Sequence, residues 1–125
     1  MHDFRQLEVW HLGLAISDSV YGITGSFPKA ERYGLQQQMR RCAVSIPSNI
    51  AEGSARGSAK DFRRFLYIAR GSAAELETQL IVATNCGFVT SDETLKSLLN
   101  DVDRSRAMMG RLIQRLSQPD NNSST

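Results

Sequence analysis

An all-α fold, an up-down-up-down antiparallel four-helix bundle with a kinked second helix, is predicted by three observations. Apolar residues recur at steps of three and four along most of the chain, the repeat that lines one face of a helix. Val and Ile never alternate with polar residues over a useful length, so strand signals are absent. The breaks between periodic stretches span roughly five to eight residues, which favours antiparallel neighbours. With 125 residues and 41% hydrophobic composition the chain can build a single core and has no room for a second domain. The bundle is expected over residues 1–117, followed by a polar, disordered tail over 118–125.

Helix one is expected from about Leu7 to Thr24. Val9, Leu12, Ile16, Val20 and Ile23 form one apolar stripe, and Leu7, Trp10, Leu14 and Tyr21 a second, about 150° away. One stripe suffices for a bundle core. The second needs another cover, which a neighbouring subunit or a deep position in the monomer would supply.

Helix two is expected from about Glu31 to Ala51, with Gly53 offering a left-handed stop. Pro47 falls in its middle, where a missing N–H and a ring crowding the carbonyl of Ala43 cost roughly 3 kcal/mol. The helical pattern nevertheless runs through it: Leu35, Met39, Cys42, Ile46 and Ile50 keep one face, and Arg41, Ser45, Ser48 and Glu52 the other. A kinked helix rather than two helices follows, with Ser45 and Ser48 able to satisfy backbone groups freed around Pro47. An ion pair from Glu52 to an arginine such as Arg41 or Arg70 is expected beside the kink.

Helix three is expected to start after Ser58, an N-cap with Asp61 three residues on, and to run to about Cys86 before Gly87. Helix four is expected from about Ser91 to Leu116, on the capping-box spacing of Thr90 and Glu93. Glycines inside the helices, Gly13, Gly22, Gly34, Gly71 and Gly110, each cost roughly 0.8–1 kcal/mol against Ala, a loss that close helix approach would offset.

Several of these motifs occur together in a recognisable order: Phe27-Pro28-Lys29, Glu31 to Leu35, Gln38 to Arg41, Ser45 to Gly53, Phe62 to Leu66, Ala69 to Ser72, and Glu75-Leu76-Glu77. Over most of residues 4–116 the chain resembles the four-helix-bundle family of proteins from intervening sequences in bacterial 23S ribosomal RNA genes, the S23 type. Accessory variability proteins of diversity-generating retroelements are similar. The resemblance implies a homopentameric ring that binds nucleic acid or a reverse transcriptase, and most members have no established activity. Gln36 and Cys42 depart from the pattern, at positions where other small residues are expected.

Net charge is only +2, which by itself implies no polyanionic partner. Its distribution says more: residues 29–70 carry nine basic and three acidic side chains, an excess of six, so the remainder is negative by four. Helix three is expected to place Phe62, Phe65, Leu66, Ala69, Ala73, Leu76 and Leu80 inward and Lys60, Arg63, Arg64, Tyr67 and Arg70 outward. Such a stripe can neutralise phosphates and offer a ring to an unstacked base, although a solvated helix face has the same composition. Arg56, Arg40 and Arg41 extend it, and a ring would repeat it in every subunit.

Metal, redox and nucleophile chemistry find little support. Glu8-Val9-Trp10-His11 has the Glu-x-x-His spacing of di-iron bundles, but such sites need that motif on two helices, and the other histidine is His2. Cys42 and Cys86 lack Cys-x-x-Cys spacing and read as reduced thiols packed as small hydrophobes. Glu75 and Glu77 do not face each other on a helix. No phosphate loop or nucleophile elbow occurs. No metal, cofactor or catalytic residue is therefore expected. The N-terminus opens no apolar stretch of signal-peptide length and no run approaches the roughly 20 residues of a membrane span, so a cytoplasmic protein without membrane association is expected. The function expected is that of a non-enzymatic, homo-oligomeric bundle binding RNA or DNA electrostatically; the alternative is a protein-interaction scaffold, for example for a reverse transcriptase.

Overall fold

The computed structural model describes residues 3–119. Among them lie four α-helices, α1 (Glu8–Thr24), α2 (Leu35–Ala55), α3 (Ala59–Asn85) and α4 (Asp92–Ser117), with 3-10 turns at Phe4–Gln6 and Lys29–Glu31 and no strand. α1 packs on α2 and α4, and α3 on the same two, while the diagonal pairs make no close backbone approach. Directions alternate. Thr24 at the end of α1 meets Gln36 and Arg40 near the start of α2. Gly53 near the end of α2 lies under Phe62 and Phe65 of α3, and Arg63 early in α3 reaches Leu116 at the end of α4.

Local chemistry sets the boundaries. The Ser58 hydroxyl caps α3 by accepting from the Asp61 N–H at 3.1 Å, as the sequence predicts. For α4 the cap is Ser91 rather than Thr90: the Ser91 hydroxyl accepts from the Thr94 N–H at 3.2 Å, and Thr90 lies outside the helix. α2 starts at Leu35 instead of Glu31, because Lys29–Glu31 close a separate 3-10 turn. Nor does Gly53 stop it. That glycine stays helical and buried because an added Cβ would sit 2.7 Å from the Phe65 Cβ; its absence lets α3 approach. The left-handed turn falls at Gly57, with φ +94°. The connections are residues 25–34, 56–58 and 86–91, the middle one shorter than expected because α2 runs a turn further.

α2 passes through Pro47 without a break, as expected. The reason lies on α1: Pro47 is buried, and a Cβ on Gly13 would come within 3.2 Å of its ring carbons. A glycine on one helix therefore makes room for a proline on the next. The Ser45 hydroxyl donates to the Cys42 carbonyl at 2.6 Å and the Asn49 amide to the Ser45 carbonyl at 2.7 Å. These bonds fall on carbonyls beside the one Pro47 orphans, and Ser48 faces outward, so the expected hydroxyl repair at Ala43 is replaced by support around it.

The core is continuous through all four helices. Ile16 and Val20, Met39, Ile46 and Ile50, Phe62, Leu66, Leu76 and Leu80, and Leu98, Val102 and Met109 are fully enclosed. Each such side chain contributes about 1.5–3 kcal/mol by leaving water. Phe27 and Phe88, with ring centres 5.5 Å apart, close one end. Cys42 is buried and its thiol donates to the Ser72 carbonyl at 3.0 Å; burial, with the Glu75 charge adding to it against a backbone hydrogen bond from Leu76, pushes the thiol up to about 12. Cys86 instead caps the end of α3 and is exposed, so only one of the two thiols is packed. Of the expected tail, residues 120–125 lie outside the described residues, as does His2.

Candidate nucleic-acid interface

The eight residues expected to form a basic surface do not share one face. α3 meets α2 on one flank and α4 on the other, and its arginines divide between them. Arg63 turns to α4, where Nη1 donates to the Leu116 carbonyl at 2.6 Å and satisfies the C-terminal end of that helix. Arg70 also turns to α4 and lies against Gly110. Arg64 packs over the Phe65 ring at 4.6 Å and sits 3.9 Å from the Asp61 carboxylate. Arg56 covers the same ring at 5.0 Å and pairs with Glu52 at 2.8 Å. Glu52 thus pairs with an arginine, as expected, but with Arg56 one turn on rather than with Arg41 or Arg70. Lys60 is exposed, as is Tyr67 at 58%.

On α2, neighbours in sequence have opposite tasks. Arg40 Nε donates to the Thr24 hydroxyl at 2.9 Å, Nη2 to the Tyr21 carbonyl at 3.4 Å, and the guanidinium lies 4.5 Å over the Tyr21 ring. Gln36 donates to the Thr24 carbonyl at 2.6 Å. α1 has no basic residue in its last turn, so these two side chains of α2 serve as its C-terminal cap. Arg41 points outward.

A groove of about 620 Å³ opens between the C-terminal part of α1 and the first half of α2. Tyr21, Arg32, Tyr33, Gln37, Arg40 and Arg41 contribute to its lining, and no carboxylate does. Arg32 and Tyr33 were not among the expected site residues. Their sequence signals are the Glu31 to Leu35 motif, in which both lie, and the basic excess of residues 29–70, to which Arg32 belongs.

The stripe expected at an oligomer contact is half covered in the subunit. Trp10 packs edge-on against Phe4 at 5.2 Å, and Leu7 leans on the core. Leu14 at 38% and Tyr21 at 48% remain exposed, joined on that side by Val44 of α2. On α3, diagonally across the bundle, Ile68, Ile81 and Val82 are also exposed. His11 Nε2 donates to the Arg5 carbonyl at 2.8 Å. Among the described residues no cluster of three or more His, Cys, Asp or Glu is placed to hold a metal, and no helix is long and apolar enough to cross a membrane.

The profile of the 23S rRNA-intervening sequence protein family matches residues 5–111. The chain belongs to that family. A crystal structure of a protein of unknown function from the S23 ribosomal protein family of Bacteroides thetaiotaomicron VPI-5482 has the same fold: the TM-score is 0.77 at 23% identity, over 85% of this chain and 95% of that one. No curated protein matches the sequence. Gln36 and Cys42, the two departures from the expected family pattern, each bond a backbone carbonyl of the adjacent helix in this family member.

Proposed function

We propose that the protein is a non-enzymatic, ring-forming bundle, a homopentamer by family resemblance, that binds RNA or DNA through its open basic faces. The observation that carries the reading is what remains after intramolecular pairing. Arg32, Arg41 and Lys60 have no carboxylate within ion-pair distance among the described residues, and exposed tyrosines stand near in sequence, Tyr33 beside Arg32 and Tyr67 two turns from Lys60. Exposed guanidinium and ammonium groups meet phosphates before bases, so binding is electrostatic and weakly sequence-specific. Ring formation is supported by two unlike exposed apolar surfaces, Leu14 of α1 with Val44 of α2 on one side and Ile68 with Val82 of α3 on the other. Unlike surfaces suit head-to-tail contacts, which close into rings when the rotation allows.

Size-exclusion chromatography with light scattering, alone and with a structured RNA at low and moderate salt, tests both parts. A ring-sized species that takes up RNA at low salt and releases it at moderate salt is expected. Leu14→Asp should reduce it to smaller species, since Leu14 carries little of the subunit's own core. A monomer that ignores RNA would remove the proposal. The exposed Ile68, Ile81 and Val82 favour a second reading, a scaffold for a protein such as a retroelement reverse transcriptase. A ring that ignores RNA would shift the assignment there.

A further inference from the structure

We infer that the α1–α2 groove is a site for a single unpaired nucleotide of a nucleic-acid strand, with its base on the Tyr33 ring and its phosphates on Arg41 and Arg32. This deepens the nucleic-acid reading and rests on it. Four features of the groove carry the inference. Its volume of about 620 Å³ is that of a small-ligand pocket. Tyr33 is 82% exposed, so both its ring faces and its edge reach solvent at a position where the core gains nothing from an aromatic residue. Three arginines line the groove and no carboxylate does. Glu31 is turned back against Gly34, and Glu75, which borders a separate depression on the α3 side of Arg41, lies beyond ion-pair distance.

The fourth feature is pre-organisation. Arg40 is already fixed by Thr24 and by the Tyr21 carbonyl and ring, so its positive charge is held at the floor of the groove without further ordering. Gln37, Ser45 and Ser48 add side-chain donors and acceptors along the same wall. A duplex cannot use this arrangement, because its bases are stacked on one another and present no face to Tyr33. A single strand can. The groove shares Tyr21 and Val44 with the exposed apolar side of α1 and α2 and extends from there away from Leu14: Tyr21 is seven residues, about 10 Å of helix rise, beyond Leu14, and Arg32 and Tyr33 lie past the end of α1.

Fluorescence anisotropy with a labelled twelve-nucleotide oligouridine and a duplex RNA of equal length tests the assignment on the full-length protein. Tyr33→Ala should weaken oligouridine binding by roughly five- to hundredfold and change duplex binding by less than about twofold. Tyr33→Phe should retain oligouridine binding, since the ring face is kept. Arg41→Gln should lower the slope of log affinity against log salt by about one. Tyr33 and Arg41 are exposed, and an unchanged thermal melt checks that both variants fold. Equal binding of oligouridine by wild type and Tyr33→Ala overturns the groove while leaving polyanion binding in place. Failure of the wild type to bind either RNA overturns the broader reading with it. Displacement of oligouridine by polyglutamate of the same length, as effective as by unlabelled oligouridine, assigns the groove to an acidic protein segment instead.

Discussion

The two hairpins of the bundle spend the same residue type differently. In α3–α4, the arginines at the seam are structural: Arg63 holds the Leu116 carbonyl, Arg70 lies against Gly110, and Arg106 pairs with Glu77 at 3.1 Å, while Arg111 and Arg115 stay exposed on the outer side of α4. In α1–α2, one arginine is structural and its neighbours are not. Arg40 caps α1, whereas Arg41 and Arg32 face an open groove with Tyr33. The difference teaches that a basic stripe on a helical wheel is not a surface until the ends of the neighbouring helices are placed. A helix C-terminus leaves unpaired carbonyls, and an arginine on the adjacent antiparallel helix is recruited to them.

The largest effect is expected where the hairpins join. Gly53→Ala places a Cβ 2.7 Å from the Phe65 Cβ and 3.3 Å from the Phe62 carbonyl, neither of which is a flexible chain end. Such overpacking costs about 1–3 kcal/mol, beyond the roughly 1 kcal/mol gained in helix propensity. Gly71→Ala is the control: nothing lies within 4 Å of its Cβ, and the same propensity gain should appear as added stability. Chemical denaturation of the two variants should move the midpoints in opposite directions.

Next come the capping arginines. Arg63→Ala and Arg40→Ala each remove charge-assisted bonds to a helix end and should cost about 1–2 kcal/mol, seen as a fall of several degrees in Tm. Arg41→Ala and Lys60→Ala should stay within about 0.5 kcal/mol of wild type. If Arg41 proved as costly as Arg40, the division between structural and open arginines would fail.

RNA binding should separate them in another way. Lys60→Gln and Arg41→Gln should each lower the salt slope by about one with stability unchanged, whereas Arg40→Gln, which removes a fixed charge from the groove and loosens the end of α1, should lower both affinity and stability. Arg63 is unsuited to this test. Although it belongs to the predicted stripe, its removal unsettles α4 as well as any phosphate contact, so binding and folding would be confounded.

Much of the fold was legible because it depends on local rules. The inward sets of α2 and α3, the Ser58 cap and the uninterrupted course through Pro47 follow from a 3.6-residue repeat and capping chemistry, which act within one helix. What was not legible depends on the neighbouring helix. Gly53 reads as a stop until Phe62 and Phe65 are seen to fill the space above it. Arg40 and Arg41 are the same residue type on neighbouring positions of one helix, and the position of Thr24 gives Arg40 a partner that Arg41 lacks. The groove is not legible because Arg32 and Tyr33 read as the first turn of helix two, whereas the 3-10 turn at Lys29–Glu31 leaves them in the connection ahead of Leu35.

The smallest effect contrasts the two hairpins through their cysteines, one in each. Cys42 in α2 is enclosed against α3, and its thiol is held near 12 mainly by burial, so at pH 8 almost none of it is thiolate. Cys86 ends α3 in solvent. Attack on a disulfide reagent requires both thiolate and access. Ellman's reagent at pH 8 should therefore release about one equivalent per chain quickly, and the second only on unfolding. Cys86→Ser should abolish the fast phase, while Cys42→Ser should leave it intact. Because the Cys42 thiol binds its proton more tightly when folded, its contribution to stability is complete below about pH 9 and declines as pH rises from there toward 12. Protection of Cys42 should follow that decline, the slow phase accelerating above pH 9 faster than the thiolate fraction of an exposed cysteine would account for. A second fast equivalent at pH 8 would show that the α2–α3 seam opens readily, and that the tight packing at Gly53 does not extend along it.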